Sequence, residues 1–324
     1  MMKALRYIAL GILFIFVILQ ITFSPNKHVK TEYCLDTFIT LTAYGRGADK
    51  AIDAAAERIR EIDEKMSAYN PKSEIYKINN AACGTAVKVS EETYKLLSRA
   101  LEFSRITDGI FDITLKPLTD LWGIGTEKAK VPTDAEIGEA LLKTGWESVE
   151  LSDDDYTVML KKEGMALDLG AIAKGYATDE AVRVLKEAGI KNACLDLGGN
   201  IYVMGKMPLG FFDMIKFGSR TRPFAIGIQA PDEPRGSAEK VVSLENGCVV
   251  TSGDYERYFE AGGVRYHHIF DPRTGRPAET EIRSATVLAQ DATAADALST
   301  VFFILGDSAE GKWAEYYDEV IFID

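Results

Sequence analysis

Thr37–Tyr44 (TFITLTAY) alternates apolar and hydroxyl-bearing side chains, the period of two expected of a half-buried strand. The rhythm then lengthens. Over Ala48–Met66 the apolar positions are Ile52, Ala55, Ala56, Ile59, Ile62 and Met66, the three-and-four spacing of an amphipathic helix. Ser90-Glu-Glu-Thr before Tyr94, Leu96, Leu97 and Leu101 predicts another helix with a serine cap and an acidic first turn. Pro132-Thr133-Asp134 opens a helix running to about Leu142, and residues 176–188 form one closed by Gly189. Short strands follow at Asn192–Leu197, 201–204, Phe224–Gln229, 249–251 and Ser284–Ala289. Asp153-Asp154-Asp155 reads as a solvated turn between two strands. Helices and strands interleave without a regular βαβ rhythm, so the fold class is α+β and a doubly wound sheet is not required.

One segment breaks every period. Residues 7–23, YIALGILFIFVILQITF, carry no charge and follow Lys3 and Arg6. Apolar on all faces, this run is no amphipathic core helix. At 1.5 Å per residue it spans about 25 Å, the low end for a bilayer. No A-x-A site follows, and Cys34 lies too far on for a lipoprotein signal. The expectation is an uncleaved anchor over 1–23, with the basic flank inside and a body over 24–324 on the extracytoplasmic side of the cell membrane.

Composition narrows the chemistry. The 324 residues carry 37 Lys plus Arg against 49 Asp plus Glu, a net charge of −12, which opposes a general nucleic-acid binder. Three histidines and four scattered cysteines leave no His-rich centre, CxxC zinc site or disulfide scaffold.

Four glycine-bearing segments remain: Thr107-Asp-Gly-Ile-Phe-Asp-Ile-Thr114, Leu167-Asp-Leu-Gly-Ala-Ile-Ala-Lys-Gly-Tyr176, Asp196-Leu-Gly-Gly-Asn200 and Thr251-Ser-Gly-Asp-Tyr255. None is a Walker A or dinucleotide-binding fingerprint. Each alone is ordinary turn chemistry; four together favour a phosphate-bearing ligand approached by backbone amides. Asp296 and Thr300, four apart, share one face if their segment is helical. They then offer Mg²⁺ a carboxylate and a hydroxyl, or serve only as a helix-start acid and a back-bonding Thr. In Arg265-Tyr-His-His-Ile-Phe-Asp271 the adjacent histidines face opposite sides of a strand, so one at most enters a site. That one could handle a phosphate or a proton, or be a satisfied structural histidine.

Taken in order, Met66-Ser-Ala-Tyr69, Thr107–Asp112, Pro117-Leu to Trp122-Gly123, Asp168–Gly175, Asp196–Asn200, Thr251–Glu256, His268-Ile-Phe-Asp-Pro272 and Ala295–Thr300 closely resemble the ApbE family of FAD:protein FMN transferases, from about Cys34 to the C-terminus. The resemblance implies a mixed catalytic domain of helices and mostly antiparallel strands. It also implies cleavage of FAD, transfer of FMN through a phosphoester to a Thr or Ser of an acceptor protein, and release of AMP. Acceptors in the family are typically membrane respiratory subunits. Carried over, Asp296 and Thr300 are Mg²⁺ ligands, joined by the Ala171 carbonyl and Ser299. Asp168 and Lys174 contact FAD, Ile110, Phe111 and Asp112 line the nucleotide site, and Tyr69 and Leu35 flank the flavin or adenine. Leu35 and Asp36 stand where the family's methionine and glycine are expected. His268 positions the phosphate or takes the acceptor's proton, and with Asp296 forms the catalytic pair. Two rivals share this site: an FAD pyrophosphatase, with water as nucleophile, and a non-enzymatic FAD carrier. Arg283-Ser-Ala-Thr-Val287 has the look of an acceptor motif, but its apolar flanks predict a core strand rather than self-modification.

Overall fold

The computed structural model describes residues 24–324 and, before them, Arg6, Tyr7, Leu10, Gly11 and Phe14. The anchor expected over 1–23 therefore lies almost wholly outside the described residues. Among those residues no helix is long and apolar enough to cross a membrane.

The central sheet is built from β1 (Lys27–Cys34), β2 (Thr37–Tyr44), β3 (Asn192–Leu197), β4 (Asn200–Met204), β5 (Gly247–Gly253), β6 (Ser284–Ala289) and β7 (Glu319–Ile323). Their order across the sheet is their order along the chain, and every neighbouring pair is antiparallel. From residue 24 on, the α-helices are α1 (Ala48–Met66), α2 (Glu74–Asn79), α3 (Glu91–Ile106), α4 (Lys116–Trp122), α5 (Asp134–Leu141), α6 (Ala173–Glu187), α7 (Phe211–Phe217) and α8 (Ala292–Leu305). Alternation assigns the two faces of the sheet. Ile39, Leu41 and Ala43 of β2, with Leu195 and Leu197 of β3, face the core shared with α1, α6 and α8. Tyr44, Val203, Val249, Leu288 and Ile321 point the other way, under a hairpin of Phe224–Gln229 and Ala238–Leu244.

Between β2 and β3 the chain makes its longest excursion, carrying α1 to α6 and a small three-stranded sheet. The Asp153–Asp155 turn lies within that sheet, joining Val149–Ser152 to Thr157–Leu160. A separate apolar cluster of Leu118, Trp122, Ile137, Ala140 and Phe270 ties α4 and α5 to the 270–277 region, with Trp122 Nε1–H donating to the Gly275 carbonyl at 3.0 Å. The 283–287 segment enters β6, all of whose residues are buried, and Thr286 is bonded to Thr251 at 2.8 Å. No acceptor site is exposed there. Helix α6 begins at Ala173, three residues before the periodic pattern does, because its first turn is fixed by contacts with α8.

Candidate functional site

Asp296 is the only charged residue of α8 and is 3% exposed. A buried carboxylate needs donors and a compensating charge. The Gly175 N–H donates to its Oδ2 at 2.8 Å, and Lys174 Nζ stands 3.5 Å from its Oδ1. This approach requires glycine: a Cβ at 175 would run into the Ala292 carbonyl and sit 2.8 Å from Asp296 Cβ. Next on the same helix, the Ser299 hydroxyl donates to the Asp296 carbonyl at 2.9 Å and accepts from Ser252 of β5 at 2.8 Å. Thr300 Oγ1 lies 3.4 Å from Ser252 Oγ.

Because the Gly175 N–H goes to Asp296, it does not close the helical bond to the Ala171 carbonyl, which receives no backbone N–H among the described residues. The Lys174 ammonium bridges the Gly170 carbonyl, at 3.2 Å, and Asp296. Asp296 thus brings a carboxylate already faced by a positive charge, with the Ser299 and Thr300 hydroxyls on the same helix and the Ala171 carbonyl one turn before Gly175. This is a hard-oxygen donor set, suited to a Mg²⁺ ion that keeps some of its ligands as water or phosphate. No cluster of three or more His, Cys, Asp or Glu able to hold a metal occurs among the described residues.

The rim carries charge of both signs. Lys116 Nζ lies 4.2 Å from the centroid of the Tyr69 ring and 2.7 Å from Asp120. Partial desolvation of the Tyr69 phenol, on a side chain that is 59% exposed, and then the charges of Asp168, Asp120 and Asp36, push its pKa up to about 12. Burial raises the Asp168 carboxyl against the pull of its bond from the Gly170 N–H, at 2.8 Å, and of Lys116 and Arg257. Arg257 donates to the Asp36 carbonyl at 3.1 Å.

The strand Val264–His267 ends at the first histidine, and His268 lies in the bend just past it, so the two are divided by the strand's end rather than by alternation along it. His267 is buried, edge-on to Phe303, and bonded to the Ala278 carbonyl at 3.0 Å and the Ile269 N–H at 3.3 Å, so both ring nitrogens are used. His268 lies beside Arg257 and within electrostatic reach of Lys174. Burial, and then the positive charges of Arg257 and His267, push it down to about 3, so the ring is neutral at physiological pH. Its Nδ1 is 3.2 Å from the Arg257 carbonyl, which can only accept. The proton therefore resides on Nδ1, and Nε2 presents a lone pair.

The ApbE family model matches residues 35–322, nearly the whole described chain. The chain belongs to the ApbE family. It is 36% identical to the FAD:protein FMN transferase of Treponema pallidum over 293 residues, 87% of this chain and 79% of that one. The FAD:protein FMN transferase of Haemophilus influenzae is 31% identical over 308 residues, 93% of this chain and 84% of its own. Among solved structures, the ApbE protein of Thermotoga maritima superposes with a TM-score of 0.77 at 37% identity, covering 89% of each chain. The apo flavinyl transferase ApbE of Pseudomonas stutzeri does so at 0.74 and 28% identity, covering 88% of this chain and 86% of that one.

Within this ApbE chain, Ala171, Lys174, Asp296, Ser299 and Thr300 come together, with Tyr69, Asp168 and His268 linked to them through the charges of Lys116, Arg257 and Lys174. Leu35 sits in the β1–β2 turn, its N–H donating to Asp63 at 3.1 Å, and is only partly buried against the core. Ile110 and Phe111 are core residues, Phe111 lying edge-on to Phe103 at 6.3 Å. Asp112 accepts the N–H and hydroxyl of Thr114, at 2.8 and 2.7 Å, and so fixes its own loop. Four contributors went unrecognised in the sequence reading: Ser252, Lys116, Asp120 and Arg257. Ser252 stands inside a glycine-bearing segment that was noticed. Asp120 stands inside the Pro117–Gly123 motif, whereas Lys116 and Arg257 are single charges with no local pattern, brought to the rim only by the fold.

Proposed function

We propose that this chain is a Mg²⁺-dependent FAD:protein FMN transferase, carried by residues 24–324 behind an anchor at 1–23 and acting on the extracytoplasmic side of the membrane. The acceptor is a Thr or Ser of another protein, a membrane respiratory subunit by the family's habit. The family match over residues 35–322 and the shared name of the curated relatives support the reaction class. The observation that carries the metal is the Ala171 carbonyl, left without a backbone donor beside Asp296, Ser299 and Thr300.

Those four residues would hold the ion. When bound, Mg²⁺ neutralises pyrophosphate charge and fixes in-line geometry. The protein does the rest. Ser252 fixes the Ser299 hydroxyl, while Lys174, Lys116 and Arg257 add positive charge around the phosphates. A bond forms between the acceptor oxygen and the phosphorus on the riboflavin side. The bond from that phosphorus to the bridging oxygen breaks, and AMP leaves with that oxygen. The acceptor's proton passes to His268 Nε2. Bound pyrophosphate offsets Arg257 and Lys174, two charges that hold the imidazole's proton affinity down, and so makes it a stronger base in the complex.

Incubation with FAD, Mg²⁺ and an acceptor protein, followed by a denaturing gel, tests the reading. Covalent flavin fluorescence on the acceptor with AMP released supports it. Free FMN alone would make the chain a pyrophosphatase, and unchanged FAD a carrier.

A further inference from the structure

Residues 205–222 form a loop that closes on itself. Met207–Pro208 pairs with Thr221–Arg222, and the Leu209 N–H donates to the Arg220 carbonyl at 2.9 Å. Helix α7 fills the interval and ends at Gly218, whose φ is +64°. No residue of α7 is buried, and Ile215 and Phe217 are 65% and 46% exposed. Cations surround these apolar side chains: Lys216 Nζ and the Arg222 guanidinium carbon lie 5.1 and 5.2 Å from the Phe217 ring centroid. In a chain of net charge −12, this loop holds Lys206, Lys216, Arg220 and Arg222 against Asp213 alone. Lys206 is paired with Glu245 at 3.0 Å. Lys216, Arg220 and Arg222 make no ion pair among the described residues, and Arg222 Nε is buried without an acceptor.

Position decides what this patch meets. Gly210, just before α7, lies against Pro25: a Cβ there would be 3.9 Å from Pro25 Cδ. Pro25, two residues past the end of the apolar run 7–23, is thus fixed beside the start of α7. We propose that α7 rests on the surface of an anionic bilayer, with Ile215 and Phe217 among the headgroups and Lys216, Arg220 and Arg222 on lipid phosphates. Short apolar faces rimmed by basic residues bind membranes in this way. The inference rests on reading 7–23 as an anchor, and adds that the body has a fixed orientation on the membrane. Pro25 precedes β1, whereas Leu35 and Asp36 at its far end neighbour Arg257. Eight strand residues separate these ends by about 25 Å. The acceptor hydroxyl is then met on the side of the body away from the bilayer.

The test uses the full chain in vesicles of phosphatidylcholine with and without phosphatidylglycerol. Ile215→Cys carries a nitroxide in a Cys83→Ser background, since Cys83 is the exposed thiol. Leu142→Cys, at a position 76% exposed, is the aqueous reference. Collision rates with oxygen and with a water-soluble nickel chelate are measured at both sites. With phosphatidylglycerol present, the oxygen-to-nickel ratio at 215 should exceed that at 142 several-fold, and Lys216→Glu with Arg220→Glu should lower it. Equal ratios in protein that floats with the vesicles overturn the docking and leave the anchor standing. Protein that does not float overturns both. A label immobilised and shielded from both reagents means that protein covers α7, either residues 7–23 or a second copy, and also overturns the proposal.

Discussion

His268 and Asp296 make opposite demands on their surroundings, and each gives a single-residue prediction. His268 is kept neutral by burial and by cations, with its pKa held down at about 3. Its Nε2 is therefore available without first losing a proton at neutral pH. His268→Ala should lower kcat/KM for FMN transfer by roughly 10²- to 10⁴-fold, the usual contribution of a positioned base. The wild-type profile should show no histidine inflection near pH 6.5; near-normal transfer by the variant from pH 6 to 8 would remove the proton role. Asp296→Asn retains an oxygen for the Gly175 N–H but loses the charge that faces Lys174. Thermal stability should then change by no more than about 1 kcal/mol. Transfer should fall by at least about a hundredfold and stay low at high Mg²⁺. A variant with the wild-type Mg²⁺ response would show that the ion is held elsewhere. Asp296 was legible in the sequence through its four-residue spacing from Thr300 and the family motif around it. Lys116 and Arg257 were not, because a surface cation signals nothing until the fold places it.

Elements differ in how plainly the sequence announces them, and burial is the reason. Helix α1 and strand β2 each bury one face, so their periods stand out. Strand β1 is an edge strand with only Cys34 buried, and α7 buries nothing, so neither left a pattern to read. Two glycine-related positions test the elements directly. Where α6 crosses α8, Gly175→Ala forces a methyl onto the Ala292 backbone, which cannot yield as a flexible side chain could. The cost should be about 1–3 kcal/mol or more, read as a lowered urea midpoint with transfer falling alongside. A variant as stable and active as wild type would show that the helices are not locked at this crossing. In the β1–β2 hairpin, Leu35 and Asp36 have φ of +54° and +55°, the left-handed pair of a two-residue turn that glycine fits best at its second position. Asp36→Gly should therefore stabilise the protein by about 0.5–1 kcal/mol. A lower melting temperature would mean that the Asp36 side chain contributes more to the fold than its backbone conformation costs.

At the scale of the whole molecule, the sheet follows the chain in order, yet β2 and β3 are separated by the long excursion that carries α1 to α6. No local pattern reveals a pairing over that distance, so the strands were legible singly and their order was not. The same long-range closure buries ionisable groups from distant segments together and makes stability depend on pH in a way no segment shows alone. His267 and His268 both have pKa values lowered chiefly by burial. As pH falls below about 6.5, the unfolded chain takes up protons that these rings refuse in the fold, so stability falls. Asp179 acts in the other direction. Its carboxylate accepts the N–H groups of Ala292 and Thr293 at 3.0 and 2.8 Å at the start of α8, and burial, with Asp291 nearby, pushes its pKa up to about 6. Between its unfolded value near 4 and about 6, the fold holds the extra proton. Its contribution is complete at the acid end of that window and is lost as pH rises through 6. Asp112 and Asp168, whose carboxyls burial also raises, act in the same direction as Asp179, and each group contributes at most about 1.4 kcal/mol per pH unit. The histidine contribution is therefore read from the difference between wild type and a variant, not from the wild-type slope alone. From pH 6.5 towards 5 the urea midpoint of His268→Asn should lose less, or gain more, than that of wild type, because one of the two histidines that oppose protonation is gone. Parallel slopes in wild type and variant would mean that His268 titrates alike in the folded and unfolded chain, and the neutral, Nδ1-protonated imidazole on which the proposed proton transfer depends would have to be abandoned with it.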